Sequence, residues 1–454
     1  MANPTTIDDL LALVRKSGLV NDQQLNGWLE RAPLALLDEG PTSVASALIR
    51  DGLLTKFQAE QLLLGKSRGF NLGPYKILER LGTGGMALVY LCENPENRGL
   101  FALKVLPTSR AQDEEFLKRF LRESRVTAAL DHPNIVKTFD VGHDGKVHFI
   151  VMEYIAGAPL HQIVHKFGPL AVERACDYVR QAALGLQHAH ENGLVHRDIK
   201  PANLILDRSG TVKILDMGLA RIFSDAEEVL TRGVLGTPDY VAPEQSRDSH
   251  NVDIRADIYS LGCTFYYLLG GYPPFPEGTV AQKLQWHQAR QPKPLRALRP
   301  EVPEDLARLV QQLMAKEPDQ RPQTPAAIAA ALAPWLQAPV APPAEVEMPQ
   351  LSPAAQSACD TANDLVITPA VPAVPRRGSQ APLSQPRVKK PSGNYPVAKK
   401  VAPPPVVVET AKPKQPKVSD ETAGRGWVVP VLVAAGGVGL LAALSLWLLQ
   451  LAPK

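Results

Sequence analysis

Cysteine is scarce: four in 454 residues, Cys92, Cys176, Cys263 and Cys359, stand far apart without paired spacing. This excludes a disulfide framework and a cysteine-based zinc site, and it fits a reducing compartment. A dominant charge is missing too, since 49 Lys and Arg face 46 Asp and Glu and leave a formal net charge of +3. No nucleic-acid partner follows from that balance. The start, Met1-Ala2-Asn3-Pro4-Thr5-Thr6-Ile7-Asp8-Asp9, lacks the basic patch and long apolar core of a secretory leader, so the amino end is expected not to be exported. Proline, by contrast, is abundant. With 42 prolines in a chain too long for one ordinary domain, two folded parts and a linker are expected.

Residues 7–65 read as four short helices, within a helical N-terminal module over 1–70. Thr6-x-x-Asp9, Asn21-x-x-Gln24 and Thr55-x-x-Gln58 have the spacing of capping boxes ahead of apolar periodic runs. Leu10, Leu11, Leu13, Val14, Leu25, Trp28, Leu29, Leu48, Ile49, Leu53, Leu54, Phe57, Leu62 and Leu63 are expected to supply one small core. A bundle of this size is marginal alone, so docking on the next domain or on another chain is expected. No catalytic constellation lies here; an interaction module and a structural prop both remain open.

From Tyr75 the pattern turns to β. Leu81-Gly82-Thr83-Gly84-Gly85-Met86-Ala87-Leu88-Val89 is glycine-rich, and such turns let backbone amides approach phosphates. No helix follows at once, as a dinucleotide fold would require; two more strands come instead, and Lys104 lies in the second, Phe101 to Leu106. A charge inside an apolar strand needs a partner, and Glu123 on the amphipathic helix 114–130 is the candidate. Further on, His196-Arg197-Asp198-Ile199-Lys200-Pro201-Ala202-Asn203 sets a carboxylate, a cation and a carboxamide at fixed offsets in one loop. That combination suits phosphoryl transfer: a base for a hydroxyl proton, a cation for phosphoryl charge and an amide oxygen for Mg²⁺.

This loop closely resembles the catalytic loop of the protein kinase family, and the resemblance covers about Tyr75 to Leu336. It implies an α+β fold of two lobes, a β-rich N-lobe and an α-rich C-lobe, with a kinase domain over 75–336. It implies Asp198 and Lys200 as catalytic residues and Asn203 and Asp216 as Mg²⁺ ligands, with Asp216 in Asp216-Met217-Gly218. ATP would lie under the glycine loop 81–87, with Leu81, Val89, Ala102 and Ile205 on its base, Met152 behind, Glu153 and Ile155 pairing adenine, and Lys104 with Glu123 placing the phosphates. The segment to Ala242-Pro243-Glu244 resembles an activation loop, with Thr231 as phosphoacceptor and Arg197 to receive the phosphate. Arg321 would pair with Glu244. The chain departs from the family at Ala87, where a third glycine is usual, and at Met217, where phenylalanine is usual.

The resemblance thus implies a bacterial serine/threonine protein kinase using ATP and Mg²⁺ on protein substrates, itself included. A catalytically weak kinase-fold scaffold is the alternative that Ala87 and Met217 leave open. A small-molecule phosphotransferase is disfavoured by Arg197 and the Ala-Pro-Glu segment.

After Trp335 the composition shifts to Pro, Ala, Val and Ser, so 337–426 is expected to be a disordered linker, about 50 Å in root-mean-square span. From Trp427 to Leu451 the chain is almost wholly apolar, and about 24 residues at about 1.5 Å rise make roughly 36 Å of helix, enough to cross a bilayer. Basic residues gather before this span, which by the positive-inside tendency places the kinase in the cytoplasm on the inner membrane as a single-pass protein. Ala435-x-x-x-Gly439 and Gly439-x-x-x-Ala443 let two such helices meet closely, leaving a homodimer open.

Overall fold

A computed structural model describes residues 3–33, 36, 39–83, 87–107, 111, 113–217, 238–247 and 252–364. Before the first strand, four helices are found among the described residues: α1 (Ile7–Ser17), α2 (Asp22–Leu29), α3 (Pro41–Arg50) and α4 (Lys56–Leu63). All three capping boxes close, at Thr6 with Asp9, Asn21 with Gln24 and Thr55 with Gln58, so each of these starts satisfies donors that the helix itself leaves bare. Leu10, Val14, Leu25, Trp28, Leu48 and Leu62 form the shared core. Phe57 leaves it. Its ring meets Tyr90 edge-on at 5.5 Å and joins the core of the neighbouring sheet.

That sheet is antiparallel, ordered β1-β2-β3-β4-β6-β5, from β1 (Asn71–Leu72), β2 (Tyr75–Thr83), β3 (Leu88–Asn94), β4 (Gly99–Val105), β5 (Thr138–Asp144) and β6 (Val147–Glu153). In the β2–β3 ladder Ile77 opposes Cys92 and Glu79 opposes Leu91, so Leu78 is the extra residue of a bulge. The N-terminal helices serve the backbone here. Thr55 Oγ1 donates to the Leu78 carbonyl and Gln58 Nε2 to the Ile77 carbonyl at 2.8 Å. In return the Glu79 carboxylate accepts the Lys56 and Phe57 amides at the start of α4, 3.3 and 3.2 Å away, where a helix N-terminus favours negative charge. The other sheet face carries α5 (Glu114–Thr127), whose Phe116 and Phe120 pack with Ala102, Ile150 and Met152. Strand alternation therefore turns Lys104 to the same side as Ala102.

The second lobe begins with β7 (Gly157–Pro159), α6 (Leu160–Phe167) and α7 (Val172–Glu191), followed by β8 (Leu204–Asp207) and β9 (Val212–Ile214), which pair as β7-β8-β9. Then come α8 (Pro243–Arg247), α9 (Arg255–Gly270), α10 (Val280–Ala289), α11 (Glu304–Leu313) and α12 (Pro325–Ala331). The buried helix α9 and the inner face of α7 form the centre of one large core. Gly185 lets α7 come against the turn at Asn134, where a Cβ would stand 2.8 Å from the Asn134 carbonyl oxygen.

The stretch expected to be disordered from 337 is corrected in its first part. Residues Glu345–Glu347 make a 3₁₀ turn and Pro353–Asp364 make a helix, α13, which lays Ala355 and Cys359 against Leu78 and Leu91. A composition averaged over ninety residues hides this short run, in which proline stands only at the first helical position, where it is tolerated. No helix among the described residues is long and apolar enough to cross a membrane; the expected span, 427–451, lies outside the described residues.

Candidate active site

The loop 196–203 is held in place from beneath. Asp257, fully buried at the start of α9, accepts the His196 amide at 2.8 Å and the Arg197 amide at 2.7 Å, and its Oδ2 also meets His190 Nε2 at 2.8 Å. Burial alone would push the Asp257 carboxyl up, but the His190 bond and the nearby His196 hold it below the usual carboxylate range. These bonds keep Arg197 at φ 69°, a left-handed conformation that a side-chain-bearing residue rarely adopts. Gln245 Nε2 caps the same turn by donating to the Arg197 carbonyl at 2.9 Å. Asp257→Ala strands two buried amides, and it is expected to cost about 2–4 kcal/mol in urea denaturation.

His196 links this loop to the strand beside it. Its Nδ1 accepts the Asp198 amide at 3.1 Å and its Nε2 faces the Leu215 carbonyl at 2.8 Å, a pairing that calls for the neutral ring with its proton on Nε2. The Leu215 amide in turn donates to the Asn203 carbonyl at 2.9 Å. Asp216 follows directly, also left-handed at φ 59°. Two of the three non-glycine positive-φ residues among the described ones thus sit in this site, each over-determined by its neighbours.

Around Asp198 the groups converge. Lys200 Nζ donates to both its carboxylate oxygens at 3.0 and 2.7 Å, and Asn203 Nδ2 donates to its Oδ2 at 2.9 Å and its carbonyl at 2.8 Å. Both amide hydrogens of Asn203 are thereby used, which leaves its Oδ1 as the acceptor end. Lys104 Nζ lies 2.6 Å from Asp216 Oδ1. Burial works to raise the Asp216 carboxyl, but Lys104, with Lys200 behind it, holds it low, so it stays ionised. Lys104 therefore meets Asp216; the side chain of Glu123, its expected partner, lies outside the described ones, although α5 contains that position.

Val89, Ala102, Met152, Ile155 and Ile205 share one apolar cluster, as a base-binding wall would need. Leu81 does not join it and is 40% exposed. Gly82 and the backbone of Thr83 end β2, and Ala87 is buried beside the start of β3; Gly84, Gly85 and Met86 lie outside the described residues. The Glu153 carboxylate is engaged by Lys213 Nζ at 2.9 and 3.0 Å and by the Lys137 amide at 3.2 Å, and the Ile155 carbonyl accepts the Gly157 amide at 2.9 Å. Met217 is buried in the large core. Thr231 and Gly218 lie outside the described residues. Arg321 reaches Glu244 through two bonds, 2.6 and 2.9 Å.

Sequence reading passed over Asp257, Gln245 and Lys213. Asp257 stands in a recognisable run, Asp257-Ile258-Tyr259-Ser260-Leu261-Gly262, but that run signals a helix start and not a bond to a loop some sixty residues earlier.

Residues 75–335 match the family described as the protein kinase domain. Over 264 residues the chain is 39% identical to the serine/threonine-protein kinase PknB of Mycolicibacterium smegmatis, covering 57% of this chain and 42% of that protein. It is 38% identical over 264 residues to the serine/threonine-protein kinase PrkC of Bacillus subtilis, covering 58% and 40%. The crystal structure of the Mycobacterium tuberculosis PknI kinase domain matches with a TM-score of 0.48 and 31% identity, covering 59% of this chain and 98% of that one. The chain spans about two fifths of the length of the curated relatives it matches.

Proposed function

This chain belongs to the protein kinase domain family, and from that premise we propose that it transfers the γ-phosphoryl group of ATP to serine and threonine hydroxyls of proteins, its own included. The observation that carries the reading is the convergence of Lys104, Asp216, Asn203, Lys200 and Asp198 through a continuous set of hydrogen bonds and ion pairs. In this reading Asp198 orients the acceptor hydroxyl and takes its proton, while Lys200, already on the same carboxylate, turns toward the phosphoryl oxygens as charge develops there. Lys104 places the phosphates. Val89, Ala102, Met152 and Ile205 enclose the adenine, and the backbones of Glu153 and Ile155 hold its edge.

The oxygen donors present suit Mg²⁺: the ionised Asp216 carboxylate and the Asn203 Oδ1 would hold it, on segments joined by the Leu215 amide bond to the Asn203 carbonyl. Bound there, Mg²⁺ supplies charge neutralisation for the phosphate oxygens. Arg197 is the receptor for a phosphate on Thr231. The apolar run 427–451 with its basic flank supports a single-pass anchor in the inner membrane with the kinase in the cytoplasm, and its small-residue spacing supports self-association. The four N-terminal helices act as an interaction module seated on the N-lobe.

The test is transfer of label from γ-labelled ATP by the full chain. Phosphoserine and phosphothreonine are expected on the chain and on a basic model protein, and chelation of Mg²⁺ abolishes both. Lys104→Met lowers the rate at least about a hundredfold. Labelling of tyrosine alone, or an undiminished rate in Lys104→Met, would sink the reading.

A further inference from the structure

The chain does not leave the molecule after the last C-lobe helix. The Glu347 carboxylate meets the Arg174 guanidinium of α7 in a two-pronged pair, 3.0 Å at each prong, while Glu345 pairs with Arg208. Lys166 reaches the Val346 carbonyl at 3.4 Å, and Met348 is buried in the C-lobe core. Four residues further on the partners belong to the other lobe. Ser352 donates to Glu79 on β2, and α13 seats Ala355 and Cys359 against Leu78 and Leu91, with Tyr154 at the rim. Tyr154 lies in the short connector between β6 and β7, which joins the lobes. Residues 345–364 thus grip one lobe, pass the connector and grip the other.

The far grip is small. A polar cavity of about 560 Å³, bordered by Leu19, Lys76, Leu78 and Ala358, lies where the N-terminal helices, the sheet and α13 meet. Through residue 360, α13 buries only Ala355 and Cys359. Segments with so few buried contacts open at low free energy. The Glu79 carboxylate that receives Ser352 also caps α4, so the N-terminal helices and the strap share one anchor.

We propose that residues 345–364 are a detachable strap that sets the angle between the lobes and so governs how tightly the cleft holds ATP. A tether fixed on both sides of a hinge limits the orientations that the N-lobe samples, and a site already near its bound geometry loses less freedom when ligand enters. Chemistry at saturating ATP is expected not to depend on it, because the strap's anchors, Arg174, Lys166, Arg208, Glu79, Leu78 and Leu91, lie outside the loop 196–203. The effect on ATP rests on the kinase reading; the tether does not.

The test uses the full chain, unaltered and as Glu347→Arg, Arg174→Glu, the combined charge swap, and Ser352→Asp, which sets a second carboxylate beside Glu79. Reaction of Cys359 with a maleimide reports release, since Cys92, Cys176 and Cys263 are fully buried within the lobes and Cys359→Ala supplies the background. Each single variant is expected to quicken labelling and to weaken ATP–Mg²⁺ binding about fivefold, with kcat at saturating ATP within about twofold, and the swap restores both. Faster labelling with unchanged ATP affinity, or no change in either, overturns the proposal. An unaltered chain that binds ATP without transferring it removes the catalytic reading and leaves the strap standing; one that binds no ATP removes the kinase reading and the strap's effect on ATP, and the tether is then decided by Cys359 labelling alone.

Discussion

Asp198→Asn is expected to lower kcat for phosphoryl transfer about a thousandfold while the protein stays folded and its ATP affinity changes little. The substitution keeps size and shape but removes the carboxylate that the proposed reading assigns as the base. Lys200 and Asn203 both donate to the Asp198 carboxylate, at 2.7 and 2.9 Å, so an amide there retains a single acceptor oxygen for two donors. The loop survives this loss because its backbone is held elsewhere: Asp257 binds the amides of His196 and Arg197, and Gln245 binds the Arg197 carbonyl. In the proposed reading the nucleotide lies on Lys104, Asp216 and the apolar cluster around Ala102, none of which changes. Single-turnover transfer with ATP binding measured alongside checks this. A kcat within about threefold of the unaltered chain would remove Asp198 from the role of base.

The local chemistry of this chain lies in short motifs, and those are legible from residue type and offset. Asp198, Lys200 and Asn203 fall within one loop, so their convergence requires only that the loop turn. The capping boxes at Thr6, Asn21 and Thr55 are equally local. What escapes is carried by bonds across the chain. Asp257 serves amides sixty residues away, and no periodicity marks it as other than the first turn of a helix. The left-handed backbones at Arg197 and Asp216 are imposed by such bonds against local preference. Phe57 has the spacing of a bundle-core residue yet leaves the bundle for the sheet, because Thr55 and Gln58 dock the start of its helix on the bulged strand. Helix α13 is hidden for another reason. It buries two small side chains, too few to form an apolar stripe, and the proline-rich surroundings dominate any average.

Arg321→Ala is expected to destabilise the C-lobe by about 3–5 kcal/mol, and Glu244→Gln by only about 1–2 kcal/mol. The asymmetry follows from what each residue serves. The Arg321 side chain is fully buried and spends its guanidinium on four partners: the Glu244 carboxylate at 2.6 and 2.9 Å, and the carbonyls of Ala315, Arg255 and Lys316 at 2.8, 2.8 and 3.0 Å. Its plane also lies over the Tyr259 ring, 4.9 Å from the centroid. Alanine leaves three carbonyls and a partly buried carboxylate without their donor, whereas glutamine at 244 keeps an oxygen for Arg321 and disturbs one partner. Lysine at 321 is expected to rescue little, since one ammonium cannot reproduce a planar fork. For a lobe of this size the loss in Arg321→Ala corresponds to a fall in melting temperature of about 6–20 °C, read by calorimetry. Activity is expected to fall as well, even far below the melting point: Glu244 and Gln245 are neighbours in α8, and Gln245 holds the Arg197 carbonyl in the loop 196–203. Equal destabilisation by the two variants would mean that the ion pair, and not the set of carbonyls, fixes Arg321 in place.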